Sequence, residues 1–472
     1  MNELSKWREN YLAIRNQLPW LDAWRPPDAV AVFADAAASK IPAARIVPLL
    51  RKTDIAADTL AYYQPEVMSL KEAANLANGH CPLIIKATDV KLNQVDLLAT
   101  EYPELDLIIA SGNQKILYYF AELTVLLKKH PHLFLATANL CNMLAPERLE
   151  HENLSEKLLY GSFMPFLAED VAMAPLIMSD LSWQAKCAVA GNNLRRILGI
   201  KPLLPVEIKY RRVNPFIIDA HGHTLKTPAL YRMPVPDCEY QWPQWREFLD
   251  AVGVIKIYIT PSEAISGKDA AKDFALELCR ASQGRMRFFE VFNPNTVEQS
   301  LEHLEASLPL PECVGIKIHP AVHQVYASDP RYARAFAAAE KFGKPIMTHS
   351  WEISSYNPTQ KFSCPGLFEE HIKAFPKVKF VLGHAGGRVG SFPEVVELCG
   401  KYPNVSVDIS GDYFHNGMIG NLVSAIGAER VLFASDVNWI DPRCIEGMLL
   451  GSSLPEEELM MIFRTNAERI YG

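Results

Sequence analysis

The sequence predicts an α/β protein: a (β/α)₈ barrel preceded by a smaller, degenerate barrel-like domain. Three observations carry this. Over the last 260 or so residues, eight short apolar runs alternate with segments of helical spacing. Polar residues recur at the ends of those runs. Blocks of the first half return in the second at a near-constant offset. Strands joined by helical crossovers pair in parallel, and eight such units suit a closed barrel. No GxGxxG follows the first strand, which removes the usual reason for an open doubly wound sheet.

The strand candidates run Phe216–Asp219, Val254–Thr260, Met286–Val291, Val314–Ile318, Pro345–Thr348, Lys379–Leu382, Val405–Asp408 and Val431–Ala434. Helical spacing separates them at Ala270–Ser282, Thr296–Ser307, Arg331–Phe342, Pro393–Cys399 and Met418–Gly427, with a last helix from Pro455 to about Asn466. The first region alternates in the same way, with apolar runs at Val30–Phe33, Leu83–Ile85, Leu105–Ile109, Leu133–Ala136 and Leu158–Tyr160. Pro205–Pro215, bracketed by prolines, reads as a linker, so the expected domains are 1–205 and 206–472.

The two regions resemble each other. YPELDLII from Tyr102 matches FPKVKFVL from Phe375 (375 − 102 = 273). KLLYGSF from Lys157 matches RVLFASD from Arg430, and NLRRILG from Asn193 matches NAERIYG from Asn466, both at the same offset. CPLIIK from Cys81 resembles KPIMTH from Lys344 ten residues out of step. All βα units share some likeness, but a constant offset across separate blocks points to an internal repeat.

Composition narrows the function. Of 472 residues, 49 % are hydrophobic and 21 % charged, which excludes a mainly disordered chain. The 47 basic against 54 acidic residues create no positive field for nucleic acid. No apolar run reaches the roughly 18 residues of a membrane span, and the charged N-terminus lacks a signal-peptide core. Nine cysteines without a CxxC pair read as free thiols in a reducing, cytoplasmic setting.

The chemistry lies in Asp219-Ala-His221-Gly-His223. In an extended strand residues i and i+2 face one side, so both imidazoles can reach one metal ion at the barrel mouth. Alone, HxH is a weak signal. It gains weight because His349, His384 and Asp436 each follow another apolar run, at the end of a barrel strand where such folds carry chemistry. Neutral imidazoles and a carboxylate suit zinc or another borderline divalent cation with a position left for water. Such an ion brings water towards a pKa of about 7. Asp436 is placed to touch the metal and take the water's proton. His384 is placed to orient that water or to donate to a developing oxyanion.

DAHGH, GIKIHP (315–320), KPIMTHS (344–350), FVLGHAGG (380–387), NVSVDISG (404–411), RVLFASD (430–436) and NAERIYG (466–472) occur in this order. Together they resemble the amidohydrolase superfamily, in particular its amidohydrolase-2 branch of TIM-barrel metal-dependent hydrolases, which includes decarboxylases similar to aminocarboxymuconate semialdehyde decarboxylase. The resemblance covers about residues 214–472. It implies that His221, His223, His349 and Asp436 bind the metal and that His384 is the catalytic histidine behind them. It leaves the reaction open.

Lys317 has two readings. In binuclear relatives a carboxylated lysine on the fourth strand bridges two metals, whereas in this branch one metal is expected and Lys317 bonds within the barrel or meets substrate. His319, two residues on, is a substrate-contact candidate. Arg388 either holds a substrate carboxylate through its planar fork or is a salt-bridged loop residue. Trp351, His323, His415 and Asn438 are further candidates around the mouth. In the first region Lys86 aligns with His349, Ser111 with His384 and Phe163 with Asp436, so that copy is expected to be metal-free. The expectation is a mononuclear, zinc-type enzyme cleaving a C–N or C–O bond of a small polar molecule. The alternatives are a metal-dependent decarboxylase of an aromatic or unsaturated acid, and a non-catalytic scaffold. A small-molecule substrate and a second copy of the chain are the expected partners, with no nucleic acid and no membrane.

Overall fold

Short aliphatic runs, buried on both faces, assemble into two parallel sheets whose strands follow chain order. The computed structural model describes residues 3–26, 39–48, 59–111, 119–224, 242–268, 270–411 and 413–472. The first sheet contains β1 (Arg45–Pro48), β2 (Thr59–Tyr62), β3 (Leu83–Lys86), β4 (Leu107–Ala110), β5 (Leu133–Ala136) and β6 (Leu158–Leu159). Its edges meet at the segment around Asp22. The Asp22 N–H donates to the Pro42 carbonyl (2.9 Å) on one side, and the Ala23 N–H donates to the Tyr160 carbonyl (2.8 Å) on the other.

The second sheet contains β7 (Ile217–Thr224), β8 (Val254–Pro261), β9 (Met286–Phe292), β10 (Cys313–Ile318), β11 (Ile346–His349), β12 (Phe380–Gly383), β13 (Val405–Asp408) and β14 (Val431–Leu432). Backbone bonds from Ala220 N to Phe433 O (3.1 Å) and from Asp436 N to His221 O (2.8 Å) close it into a barrel. The chain is thus a (β/α)₈ barrel preceded by a smaller parallel α/β unit, as the strand pattern predicts. Ile218, Ala220, Tyr258, Met347, Val381 and Leu432 fill the larger barrel, and Ile470 and Tyr471 of the last helix plug its floor.

Sequence periodicity missed β1 and β2. Each is only four residues long, and β1 (RIVP) includes an arginine and a proline. The strand expected at Val30–Phe33 lies outside the described residues. The last helix is interrupted: Glu456–Met460 and Asn466–Tyr471 flank a π turn at Met461–Thr465. Pro205–Pro215 contains no helix or strand. It is strapped along the helix Glu3–Gln17, where Gln17 Nε2 donates to Val206 O (3.2 Å), Asn10 Nδ2 to Lys209 O (3.1 Å) and Trp7 Nε1 to the Tyr210 hydroxyl (3.0 Å). Among the described residues, no helix is long and apolar enough to cross a membrane, and all eight cysteines are free.

Several hydrogen-bond patterns recur in the smaller, six-stranded barrel-like unit and in the larger barrel. Asp22 accepts from Trp24 N, Ser162 N and the Ser162 hydroxyl; Asp219 accepts from His221 N, Ser435 N and the Ser435 hydroxyl. Asn193 Nδ2 donates to the carbonyls of Ser155 and Leu158, and Asn466 Nδ2 to those of Ala428 and Val431. Ala188–Asn192 and Met461–Thr465 are both π turns. The barrels also meet reciprocally. The loop after β5 touches the loop after β14 (Asp441 N to Cys141 O, 2.9 Å), and the loop after β6 touches the loop after β13 (Ala168 N to Phe414 O, 2.9 Å). The helices Asp170–Ile177 and Pro442–Leu450 pack on each other, so closely that a Cβ on Gly447 would collide with that of Ala174.

Candidate active site

Parallel strands in one barrel bring all their C-terminal ends to one rim, which gathers side chains far apart in sequence. A cavity of about 340 Å³ opens there, lined by His221, His223, Lys317, His319, His349, Trp351, His384 and Asp436 among others. The HxH pair depends on more than strand alternation. Ile218 and Ala220 face the barrel's apolar filling, so strict alternation would turn His221 away from it. A register irregularity between Asp219 and Gly222 resets the phase and brings His221 and His223 into the cavity.

The donor set suits a cation. His223 Nδ1 lies 3.0 Å from the Thr260 carbonyl, an acceptor only, so that nitrogen carries the proton. Its Nε2, which carries a lone pair in the neutral ring, lies 3.1 Å from Asp436 Oδ1. A lone pair facing a carboxylate is a place for a positive charge. His221 Nδ1 lies 3.1 Å from Asp408 Oδ2, which leaves Nε2 to face Lys317 Nζ at 2.8 Å. Outer partners that fix a tautomer in this way are the usual support of histidine ligands. One ligand atom from each of His221, His223 and Asp436 lies within 4.8 Å of the others, and His221, His384 and Asp408 form a second such group.

Burial tends to raise the Asp436 carboxyl pKa, but the neighbouring imidazoles of His223, His384 and His221 outweigh it and hold the group below the ordinary carboxylate range. Asp408 is lowered in the same way: His221 and His384 overcome its burial. Burial pushes Lys317 down to about 8 and His349 to about 3, and keeps His319 and His384 well below the ordinary imidazole range. His384 (φ 61°) and Asp436 (φ 63°) both sit in the left-handed region. Non-glycine residues enter it at a cost, and such strain clusters at functional sites.

His349 and His384 belong to a polar chain. His349 Nε2 meets Gln360 Oε1 (2.8 Å), its Nδ1 meets His384 Nε2 (3.0 Å), and His384 Nδ1 meets the Ser410 hydroxyl (2.9 Å), which donates to Asp408 Oδ1 (2.6 Å). One wall is a stack of rings. His319 and His349 lie 4.1 Å apart at 8°, and His349 and Trp351 5.8 Å apart at 1°. Trp351 also covers Gly387, whose φ of 93° and missing Cβ make room for the indole.

The other candidates around the mouth have different places. Arg388 lies over the Tyr356 ring (4.9 Å), whose hydroxyl accepts from Trp351 Nε1 (3.2 Å), at the edge of the cavity. Asn438 Nδ2 donates to the His223 carbonyl (2.6 Å). His323 Nε2 bonds the Ile265 carbonyl (2.9 Å), and His415 faces a separate cavity of about 910 Å³ between the two barrels. Sequence reasoning missed Asp408, Ser410, Gln360 and Thr260. Asp408 carried a signal, because it ends β13 just as His349 ends β11.

The amidohydrolase family profile matches residues 218–472, more than half of the chain. The chain therefore belongs to the amidohydrolase family, a family of metal-dependent enzymes. Among solved structures it is similar to 5-carboxyvanillate decarboxylase from Novosphingobium aromaticivorans, complexed with manganese and 4-hydroxy-3-methoxy-5-nitrobenzoic acid (14 % identity, 54 % of this chain and 96 % of that chain, TM-score 0.44). It is also similar to 2,6-dihydroxybenzoate decarboxylase from Rhizobium (17 % identity, 54 % and 98 %, TM-score 0.43). No curated protein matches.

Proposed function

We propose that the larger barrel, residues 206–472, is a mononuclear metal-dependent hydrolase of a small polar molecule, cutting a C–N or C–O bond. The observation that carries this is His223 Nε2, turned away from the Thr260 carbonyl and facing Asp436 beside His221. These three residues and His349 would hold a divalent cation, and zinc suits their donor types. The cation would supply Lewis acidity, drawing the pKa of water towards about 7. Asp436, held ionised, takes the proton from the attacking water and passes it to the leaving group. His384, backed by Ser410 and Asp408, faces the reacting centre as a hydrogen-bond partner for its oxygen. Lys317 stays an uncarboxylated lysine and does not bridge a second ion.

A second reading, decarboxylation of an aromatic or unsaturated acid, is favoured by the ring-walled slot of His319, His349 and Trp351 with Arg388 at its edge. In that case Asp436 or His384 delivers a proton to the carbon that loses CO₂. We further propose that residues 1–205 are a duplicated, metal-free copy of the barrel, and that the protein acts in the cytoplasm without nucleic acid or membrane.

Metal analysis tests the site. About one equivalent per chain is expected, lost in His221→Ala and Asp436→Ala. No bound metal after reconstitution would sink the enzyme reading, and two equivalents with carbonate dependence would restore a carboxylated Lys317. Proton release from amides and lactones, set against CO₂ release from aromatic acids, separates the two reactions.

A further inference from the structure

The loop after β14 carries Asp436, Asn438 and Trp439, yet its far end is anchored in the other barrel. Asp441 is fully buried. Its Oδ2 accepts from Leu144 N (2.9 Å), and its own N–H donates to the Cys141 carbonyl (2.9 Å). Arg443, 3 % exposed, bridges two carboxylates. Its Nη2 donates to Asp441 Oδ2 (2.6 Å) and its Nε to Asp441 Oδ1 (2.9 Å). On the other side, Nη1 and Nη2 reach Glu147 Oε1 and Oε2 at 2.6 and 3.1 Å. Cys141, Leu144 and Glu147 all belong to the smaller barrel. A planar guanidinium gripped on both edges fixes direction as well as distance.

The grip is transmitted over a short path. Trp439 N (2.8 Å) and Ile440 N (3.2 Å) both donate to the Asp436 carbonyl, so Asp436 to Asp441 form one tight turn. Asn438 ties the same turn to His223. A shift of Asp441 therefore moves Asp436 against His223 Nε2.

We propose that the smaller barrel holds the metal site in its binding form through this clamp, with Glu147, Arg443 and Asp441 as positioning residues for Asp436. This rests on Asp436 being a cation ligand. The roles are asymmetric: one barrel supplies the ligands and the other anchors the loop that aims one of them.

The test is Zn²⁺ affinity of the full chain by chelator competition, with thermal unfolding of the metal-free protein alongside. Glu147→Gln keeps the shape and loses the charge. It is expected to bind Zn²⁺ about tenfold more weakly, in the range found for partners behind a ligand, with the same stoichiometry at saturation. Arg443→Lys, which keeps the charge and loses the fork, is expected to do the same. Arg15→Gln breaks the Arg15–Asp170 pair (2.7 Å) away from this loop, so it should lower the unfolding temperature and leave Zn²⁺ affinity unchanged. Wild-type affinity in Glu147→Gln and Arg443→Lys would overturn the clamp while leaving the site intact. Both variants failing to fold would make the residues merely structural and overturn it too. A wild-type chain that binds no Zn²⁺ would overturn the site reading and the clamp with it.

Discussion

The two barrels share a scaffold and differ where the larger one gathers its polar groups. Asp22 and Asp219 tie the same turn, and Phe163 (φ 57°) and Asp436 (φ 63°) leave it with the same backbone twist. Yet Trp24 stands in the place of His221. The strand registers put Tyr62 level with Lys317 and Lys86 level with His349. The space is closed by rings: Trp24 lies 5.3 Å from Tyr62 and 6.1 Å from Phe163, and its indole N–H is spent on the Ser111 carbonyl (2.8 Å). A fold of this kind tolerates either filling because its stability comes from strands, turns and core, whereas its chemistry comes from a few side chains at the rim.

Three further measurements break or sharpen this comparison. The largest effect is expected at Trp24, which is fully buried. Trp24→Ala should cost about 3–5 kcal/mol of stability in chemical denaturation while bound metal per chain stays constant. A fall in metal content would mean that the filled site still takes part in binding.

The second concerns the two buried lysines, one in each barrel, that burial pushes down to about 8: Lys186 and Lys317. Lys186, whose Nζ donates to the Ile177 carbonyl (2.7 Å), has no part in the site. Its folded pKa lies below the unfolded value of about 10.4, so between those two values the unfolded chain binds the extra proton. Stability should therefore rise as pH climbs through that window, by about 3 kcal/mol in all. Lys186→Met should remove that rise, seen as a stability difference between variant and wild type that changes across the window. A difference that stays constant with pH would show that Lys186 is not held neutral by burial.

The smallest effect is expected where the barrels touch. Gly447→Ala should cost about 1–3 kcal/mol through overpacking against Ala174. Adding Ala174→Gly should recover part of it, because residues in contact do not act additively. Additive effects in the double variant would show that the two helices do not meet in solution as closely as they do here.

Much of this was legible in residue order. The eight strands of the larger barrel fall where apolar runs alternate with helical spacing, and the residues gathered at its rim (His221, His223, His349, His384 and Asp436) are those that end such runs. What was not legible had physical causes. The four-residue strands β1 and β2 carry no readable period. Asp408 reads in the sequence as one more strand residue, and only the closed barrel brings its carboxylate onto His221. His415 and His323 share the residue type of the site but point into other surroundings, one towards the cavity between the barrels and one onto a backbone carbonyl.

The sequence alone determined the strand–helix order and the polar residues at strand ends, because periodicity and residue type are local properties written in one dimension. Only the tertiary structure decided the rest. The register irregularity that turns His221 inward arises from pairing with β8. The tautomer of His223 is set by a carbonyl 37 residues away. The grip of Glu147 on the β14 loop joins residues 296 apart in sequence. Contacts of that range depend on how the two barrels pack, and no local pattern encodes them.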